Sequence, residues 1–311
     1  MGRGVLSRLS FLLRPVPPFR LDFTVWALRR RPNNTVDRWD GSNYRRVVLL
    51  DGEPAEIEIA QIGTLDNPIL RVGLSSTEWG LNAKSTIKAL VERMLGLRTN
   101  LTDFYRLATG PQKLRLLRQH FYGLKPPRFP SLFEALVNGI ACQQLSLTVG
   151  ILLLNRLAEN YGSAFRTMNG IAYSFPSPTR LAVSKIDALR KLGFSRQKGH
   201  YLLELSNLVA RRKIDLEGLE TMDRDQVLKQ LYELQGVGRW TAEYVALRGL
   251  GRLSVFPGDD VGARKNLQRL LNISKPLDYN ALSRILKRWD PFGGMIYFHL
   301  LLEGLTKQGY L

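Results

Sequence analysis

Apolar and polar positions keep two different rhythms in the two parts of this chain. Over roughly the first hundred residues the rhythm is mostly that of strands. Leu21, Phe23, Val25 and Ala27 alternate with Asp22, Thr24 and Trp26, and Glu56-Ile57-Glu58-Ile59 alternates again, as expected where one strand face rests on a core. The run Arg46-Val47-Val48-Leu49-Leu50 stops at Asp51-Gly52, a two-residue hairpin signal. Asn67-Pro68 then opens a further run from Ile69 to Leu74. One helix interrupts the strands, with Ile87, Leu90, Val91 and Met94 at i, i+3, i+4 and i+7. The pattern predicts a small antiparallel sheet with helices on one face.

Beyond that the period turns helical. Ser131 and Glu134 have capping-box spacing after the Pro-rich segment Lys125-Pro126-Pro127-Arg128-Phe129-Pro130. Ser177-Pro178 reads as an N-cap with proline at the first helical position. Gly162, Gly193 and Gly249 read as helix stops. The expected fold is therefore α+β, with residues 1–118 an N-terminal antiparallel α+β subdomain and 119–311 a helical domain. Within the latter, 223–234 and 239–249 form the arms of a helical hairpin. Neither a repeat nor a low-complexity tract is visible.

Composition narrows the partners. With 44% apolar and 23% charged residues, the 311-residue chain can bury a sizeable core. A net charge of +18 and a pI near 10.3 point to a polyanion, nucleic acid before membrane. Cys142 is the only cysteine. That excludes disulfides within the chain and any four-cysteine zinc or iron–sulfur site, and fits an intracellular, reducing location. No apolar run approaches the roughly 20 residues of a membrane helix. Residues 1–21 hold four arginines (Arg3, Arg8, Arg14, Arg20) and no acid. That composition faintly resembles a transit peptide, but we read it as a frayed basic arm.

Chemistry concentrates in Leu234-Gln235-Gly236-Val237-Gly238-Arg239-Trp240-Thr241-Ala242, followed by Phe256-Pro257-Gly258-Asp259-Asp260. Gly236 and Gly238 frame a tight turn between helices, which aims backbone N–H groups and a helix N-terminus at a phosphate. Trp240 and Tyr244 share a helical face at i and i+4; they are two core aromatics or a surface for stacking a base. Asp259 or Asp260 N-caps the following helix, serves as a catalytic carboxylate, or does both. Phosphate grip, aromatic face and carboxylate together suit an enzyme that holds DNA, stacks a base and cuts a glycosidic bond.

The same residues resemble the helix-hairpin-helix DNA glycosylase superfamily, most closely its DNA-3-methyladenine glycosylase II branch. Two further stretches are similar to that branch: Phe129-Pro130-Ser131-Leu132-Phe133-Glu134-Ala135-Leu136 leading to Cys142-Gln143-Gln144-Leu145-Ser146, and Phe175-Pro176-Ser177-Pro178-Thr179-Arg180-Leu181 through Leu192-Gly193-Phe194. The resemblance spans most of residues 120–304. It implies a glycosylase that flips alkylated bases of the 3-methyladenine and 7-methylguanine type out of duplex DNA and hydrolyses the N-glycosidic bond, in base excision repair. Asp260 takes the place of the catalytic carboxylate, at the branch's spacing from Trp240, and Trp240 and Tyr244 form the base pocket. Gln143, Gln144 and Leu145 fall where relatives fill the gap left by the flipped base. Gly236, Val237, Gly238, Arg239 and Thr241 grip phosphate, with Arg248 and Arg264 as further phosphate contacts or surface ion pairs.

Trp240 stands where superfamily members that also cleave the strand carry a Schiff-base lysine, and Lys265 matches no such position. A monofunctional enzyme without lyase activity is therefore implied. The resemblance requires no cofactor; relatives bind a monovalent cation through the hairpin carbonyls, and no other metal is expected. The partner is double-stranded DNA with damaged bases, not a membrane, and the protein is expected to be a DNA-associated monomer. Two departures bear on substrate range. Glutamines precede Leu145 where the branch often has leucine. Leu300, Leu301 and Leu302 stand near positions that carry pocket aromatics in the branch, with Tyr297, Phe298 and His299 just before. His299, on an apolar helix, reads as a core histidine. The rival readings are a glycosylase for deaminated or oxidised bases, which would need a polar pocket, and a non-catalytic DNA-binding hairpin protein.

Overall fold

A computed structural model of the chain describes residues 7–78, 80–107 and 112–311. The first part runs β1 (Ser7–Leu13), α1 (Leu21–Arg29), β2 (Arg38–Trp39), β3 (Asn43–Leu50), β4 (Glu53–Gln61), β5 (Leu70–Ser76), α2 (Ala83–Met94), α3 (Thr102–Leu107) and α4 (Gln112–His120). Next come α5 (Leu132–Cys142), α6 (Leu147–Tyr161), a small hairpin of β6 (Ala164–Thr167) and β7 (Gly170–Tyr173), α7 (Pro178–Ala182), α8 (Ile186–Lys191) and α9 (Arg196–Ala210). The remainder is α10 (Arg224–Tyr232), α11 (Arg239–Arg248), α12 (Val261–Leu271), α13 (Tyr279–Leu286) and α14 (Gly293–Lys307). The α+β expectation holds: a small antiparallel sheet precedes a larger helical assembly.

The five strands lie in the order β1-β5-β4-β3-β2, each pair antiparallel. β3 and β4 meet at Asp51-Gly52, whose φ values of 52° and 90° are what a twisted two-residue hairpin requires. Alternation in β4 puts Ala55, Ile57 and Ile59 inside, while Glu58 on the other face pairs with Arg45 at 2.5 Å. The helix stops at Gly162, Gly193 and Gly249 also hold. Ser131 caps α5 as expected, accepting from the Glu134 N–H at 3.1 Å. The reciprocal half of that box is replaced, because the Glu134 carboxylate is bound to Arg46 of β3 at 2.5 and 2.6 Å.

Two N-terminal expectations are corrected. Residues 21–27 form α1, not a strand. Leu21, Val25 and Leu28, one turn apart, enter one hydrophobic core, while Trp26 and Ala27 enter a second. A helix wedged between two cores is apolar almost all round, so its sequence imitates any period. Asp22 in its first turn complements the helix dipole. The basic arm is likewise not frayed over residues 7–20, since Ser7–Leu13 is the edge strand β1 and buries Phe11 and Leu13. Residues 1–6 lie outside those described.

The first core joins the sheet and α2 to α5–α11; the second joins one side of α1 to α3, α4 and α12–α14. Residue 118, the boundary expected from sequence, lies within α4, which packs on α12 and α14. Sheet and helices are also linked by a buried charge network. Arg46 donates to Asp37 at 2.7 Å and to Glu134, and the Tyr44 hydroxyl donates to Asp37 at 2.7 Å. Burial opposes the charged form of Asp37, but the Arg46 guanidinium and the Tyr44 hydroxyl outweigh it and hold its pKa below the usual value. α5 is buried along its whole length and touches α11 so closely that a Cβ on Gly139 would meet Thr241 Cγ2 at 2.8 Å. This contact fixes the hairpin against the α5–α6 turn.

Candidate active site

The hairpin is built from its caps inward. Asp223 and Gln226 form a reciprocal capping box at the start of α10. After α10 the chain reverses through Gly236, at φ 79°, where a Cβ would lie 2.2 Å from the Tyr201 ring. Val237 turns its side chain into the core, and Gly238 is the exposed N-cap of α11 with no side-chain cap. The first N–H groups of α11 therefore have neither an intrahelical acceptor nor a capping oxygen, which leaves them for an anion.

The turn is tied to the end of α5 by Gln143, whose Nε2 donates to Gly236 O at 2.6 Å and to Thr241 Oγ1 at 2.8 Å. Lys198 braces the same place, donating to the carbonyls of Ala141 (2.9 Å) and Gln143 (2.7 Å). Among the sequence candidates, Gln143 and the buried Thr241 thus bond to each other inside the protein. Gln144, at φ 52°, and Leu145, 42% exposed, remain at the surface of the α5–α6 turn. The Leu234 and Gly236 carbonyls accept from Val237 N–H and Gln143. Each keeps a second lone pair, so the turn fits a monovalent cation.

Between the α5–α6 turn, α11, the start of α12 and α14 opens a cleft of about 830 Å³. Gln144, Leu145, Trp240, Tyr244, Asp260 and Tyr297 all line it. Trp240 and Tyr244 stack with ring centroids 5.2 Å apart, Trp240 half-buried and Tyr244 buried. Asp260 N-caps α12, its Oδ1 accepting from the Ala263 N–H at 2.9 Å, while Oδ2 accepts from the Tyr297 hydroxyl at 3.0 Å. Cap and cleft-facing carboxylate are one residue. Burial, together with the Asp260 charge, pushes the Tyr297 hydroxyl well above its ordinary pKa, so it stays a donor.

The second carboxylate is occupied elsewhere. Asp259 accepts from Arg239 at 2.7 and 3.1 Å, and Arg239 lies 4.0 Å over the Tyr279 ring. The loop carrying the pair hangs on Glu243, which accepts from Gly258 N–H at 2.9 Å and from the Tyr279 hydroxyl. Burial raises the Glu243 pKa. Its role was hidden in the sequence because both partners are non-local.

Some arginines stand where sequence reasoning did not place them. Arg248 is neither a phosphate contact nor a surface ion pair. It is fully buried, donates to the carbonyls of Ala27 (2.8 Å) and Leu28 (3.1 Å), and lies against the faces of Phe129, Tyr244 and Phe298. Arg264 donates to Leu277 O at 3.2 Å. Arg30, which the sequence did not single out, lines the cleft and donates to the Tyr244 hydroxyl at 2.7 Å. Leu301 and Leu305 line the opposite wall. His299 is a core histidine, bonded through Nδ1 to Met295 O at 2.8 Å. Among the described residues no group of three or more His, Cys, Asp or Glu is placed to hold a metal, and no helix is long and apolar enough to cross a membrane.

The arrangement places an aromatic platform and a carboxylate in one cleft, with the free N-terminus of α11 two residues before Trp240. Comparison with known proteins shows the family. The family model described as "HhH-GPD superfamily base excision DNA repair protein" matches residues 137–291. The "DNA-3-methyladenine glycosylase 2" of Escherichia coli (strain K12) is 30% identical over 288 residues, 91% of this chain and 94% of the relative. A 3-methyladenine DNA glycosylase from Archaeoglobus fulgidus superposes with a TM-score of 0.82 at 25% identity, covering 94% of this chain and 97% of that one. The fold is also shared, at 15% identity and a TM-score of 0.76 over 98% of each chain, with the 8-oxoguanine glycosylase/lyase of Clostridium acetobutylicum, solved with double-stranded DNA.

Proposed function

The chain belongs to the HhH-GPD superfamily of base excision DNA repair proteins, and from that premise we propose that it excises alkylated bases from duplex DNA as a monofunctional glycosylase. The observation that carries this reading is the Asp260 carboxylate lining the same cleft as the stacked Trp240–Tyr244 pair. The N-terminus of α11, capped by Gly238, takes a backbone phosphate, and Arg239 adds charge beside it. A monovalent cation on the hairpin carbonyls would add further positive charge there. Gln144 and Leu145 fill the space in the duplex when the target nucleotide swings out.

The extruded base stacks on Trp240, where a cationic alkylated purine gains from the ring face. Its positive charge already makes it a good leaving group. As the C1′–N bond lengthens, Asp260 stabilises the positive charge growing on the sugar and takes the proton of the attacking water. Tyr297 and the Ala263 N–H keep the carboxylate in place. With tryptophan at position 240 there is no amine to attack C1′, so the product is free base and an intact strand with an abasic site. The protein acts as a monomer.

The test is release of 3-methyladenine and 7-methylguanine from methylated duplex. Wild-type protein should free both bases without cutting the strand, and Asp260→Asn should slow release at least about 100-fold. Salt-sensitive binding with no release by the wild type would make the protein a hairpin DNA binder and reject this reading.

A further inference from the structure

The helix whose N-terminus is open to an anion also holds the loop that bears the carboxylates. Two neighbouring stripes of α11 face the rest of the site. Trp240 and Tyr244 form the aromatic platform, while Arg239 and Glu243, again four residues apart, face residues 257–260. That segment is a closed turn, in which the Asp260 N–H donates to Pro257 O at 3.1 Å. Glu243 accepts from the Gly258 N–H at 2.9 Å, and Arg239 binds the Asp259 carboxylate at 2.7 Å. Gly258 and Asp259, the two central residues of the turn, are thus both tied to α11.

The two ties differ in kind. Arg239 is half-exposed at the first position of α11, beside the N–H groups left for an anion. A DNA phosphate arriving there competes with Asp259 for its guanidinium. Glu243 is only 2% exposed, and its carboxylate forms no ion pair among the described residues. Its two oxygens accept instead from neutral donors, the Gly258 N–H and the Tyr279 hydroxyl. A buried carboxylate without a cation lowers stability, so packing alone does not account for an acid at this position. Gly258 has no room to shift, since a Cβ on it would lie 2.7 Å from the Tyr279 ring and 3.1 Å from Leu282. Tyr279 therefore secures the turn twice, with its hydroxyl on Glu243 and its ring against Gly258.

We propose that Glu243 is a positioning residue for base excision: it keeps the 257–260 turn, and with it the Asp260 carboxylate, in place against the base platform of α11 when phosphate draws Arg239 away from Asp259. The inference rests on the glycosylase reading above and adds a residue to that site. Asp260 is otherwise fixed only from α12 and α14, by the Ala263 N–H and the Tyr297 hydroxyl. Those bonds set its orientation but not its distance from Trp240. Glu243 lies on the same helix as the platform, so it holds the distance between a stacked base and the carboxylate directly. A small misplacement of that carboxylate weakens its hold on the positive charge growing on the sugar. Glu243 itself touches neither base nor sugar.

The experiment compares the affinities of wild type, Glu243→Gln and Tyr279→Phe for two duplexes that differ only at the target position. One carries a neutral tetrahydrofuran ring there, the other a pyrrolidine ring whose ammonium mimics the positively charged sugar. Wild type should prefer the cationic ring. Glu243→Gln should reduce that preference about tenfold, as for one lost hydrogen bond to a charged group, and slow single-turnover release of 7-methylguanine to match. Its affinity for the tetrahydrofuran duplex should stay as in wild type. Tyr279→Phe leaves the charge of Glu243 in place but removes one of its two donors, and should shift the preference the same way. The preference is an internal ratio, so a general loss of folded protein cancels, and Tyr279→Phe alone decides should Glu243→Gln not fold. An unchanged preference in both variants would make Glu243 a structural brace and overturn the inference, leaving the glycosylase reading intact. A shift in Glu243→Gln but none in Tyr279→Phe would show an effect of charge, not of position, and overturn it too. A wild type that binds both rings equally would remove the inference and the glycosylase reading together.

Discussion

Asp260 gives one carboxylate oxygen to the cap of α12 and the other to Tyr297. A catalytic group fixed at both oxygens loses little freedom when the substrate arrives. Replacing Tyr297 by phenylalanine removes one hydrogen bond to a charged group, so base release should slow about tenfold. The change should appear in kcat rather than KM, with affinity for undamaged duplex unaltered; single-turnover kinetics beside a binding titration checks this. His299 yields a second prediction at the same scale. Burial pushes its pKa from 6.5 down to about 4. The unfolded chain takes up a proton there between those pH values that the folded protein refuses. Stability should therefore fall as pH drops through that window, by roughly 3 kcal/mol at its lower end. His299→Phe should lose that part of the slope when denaturant midpoints at pH 4.5 and 7.5 are compared. Asp260 and His299 were legible in the sequence because loop spacing and an apolar helical run identify them. Arg30 and Tyr297 were not, since their roles depend on partners 214 and 37 residues away.

Among the elements, the hairpin shows how much a turn can be read from its glycines and where the reading stops. Both glycines are visible in the sequence, but only the structure separates their roles. Gly236→Ala puts a methyl into the Tyr201 ring at a positive φ, whereas a Cβ on Gly238 meets nothing within 4 Å. The first change should destabilise the protein by about 2 kcal/mol or more and weaken DNA binding with it. The second should leave the thermal midpoint nearly unmoved and weaken DNA binding alone, by crowding the phosphate. Thermal unfolding measured beside duplex affinity distinguishes them. The strands at Glu56–Ile59 and after Pro68, the Asp51-Gly52 turn and the hairpin arms were legible because each buries one face or uses a distinctive turn. α1 was misread for the opposite reason: it has almost no solvent face, so no period marks it.

On the scale of the whole molecule, charge and burial act at different ranges. The surplus of 45 basic over 27 acidic residues should make duplex affinity fall steeply with salt, with log K against log salt sloping by about 0.9 for each phosphate neutralised. Arg239→Ala should reduce that slope, and a titration over salt concentration measures it. The Arg46–Asp37–Glu134 network acts inward instead, joining β3 to α5. Arg46→Met would strand two buried carboxylates and should destabilise by about 3–5 kcal/mol, read in a denaturant melt. The placement of α1 between two cores carries a consequence in time. Arg30, at its end, bonds Tyr244, 214 positions later in the chain. A ribosome adding about 5–20 residues per second separates the two by roughly 10–40 s. Through that interval neither core that receives α1 is complete, since the first reaches into α11 and the second into α14. The cleft is walled on all sides only once α14 has left the exit tunnel, because Tyr297, Leu301 and Leu305 line it.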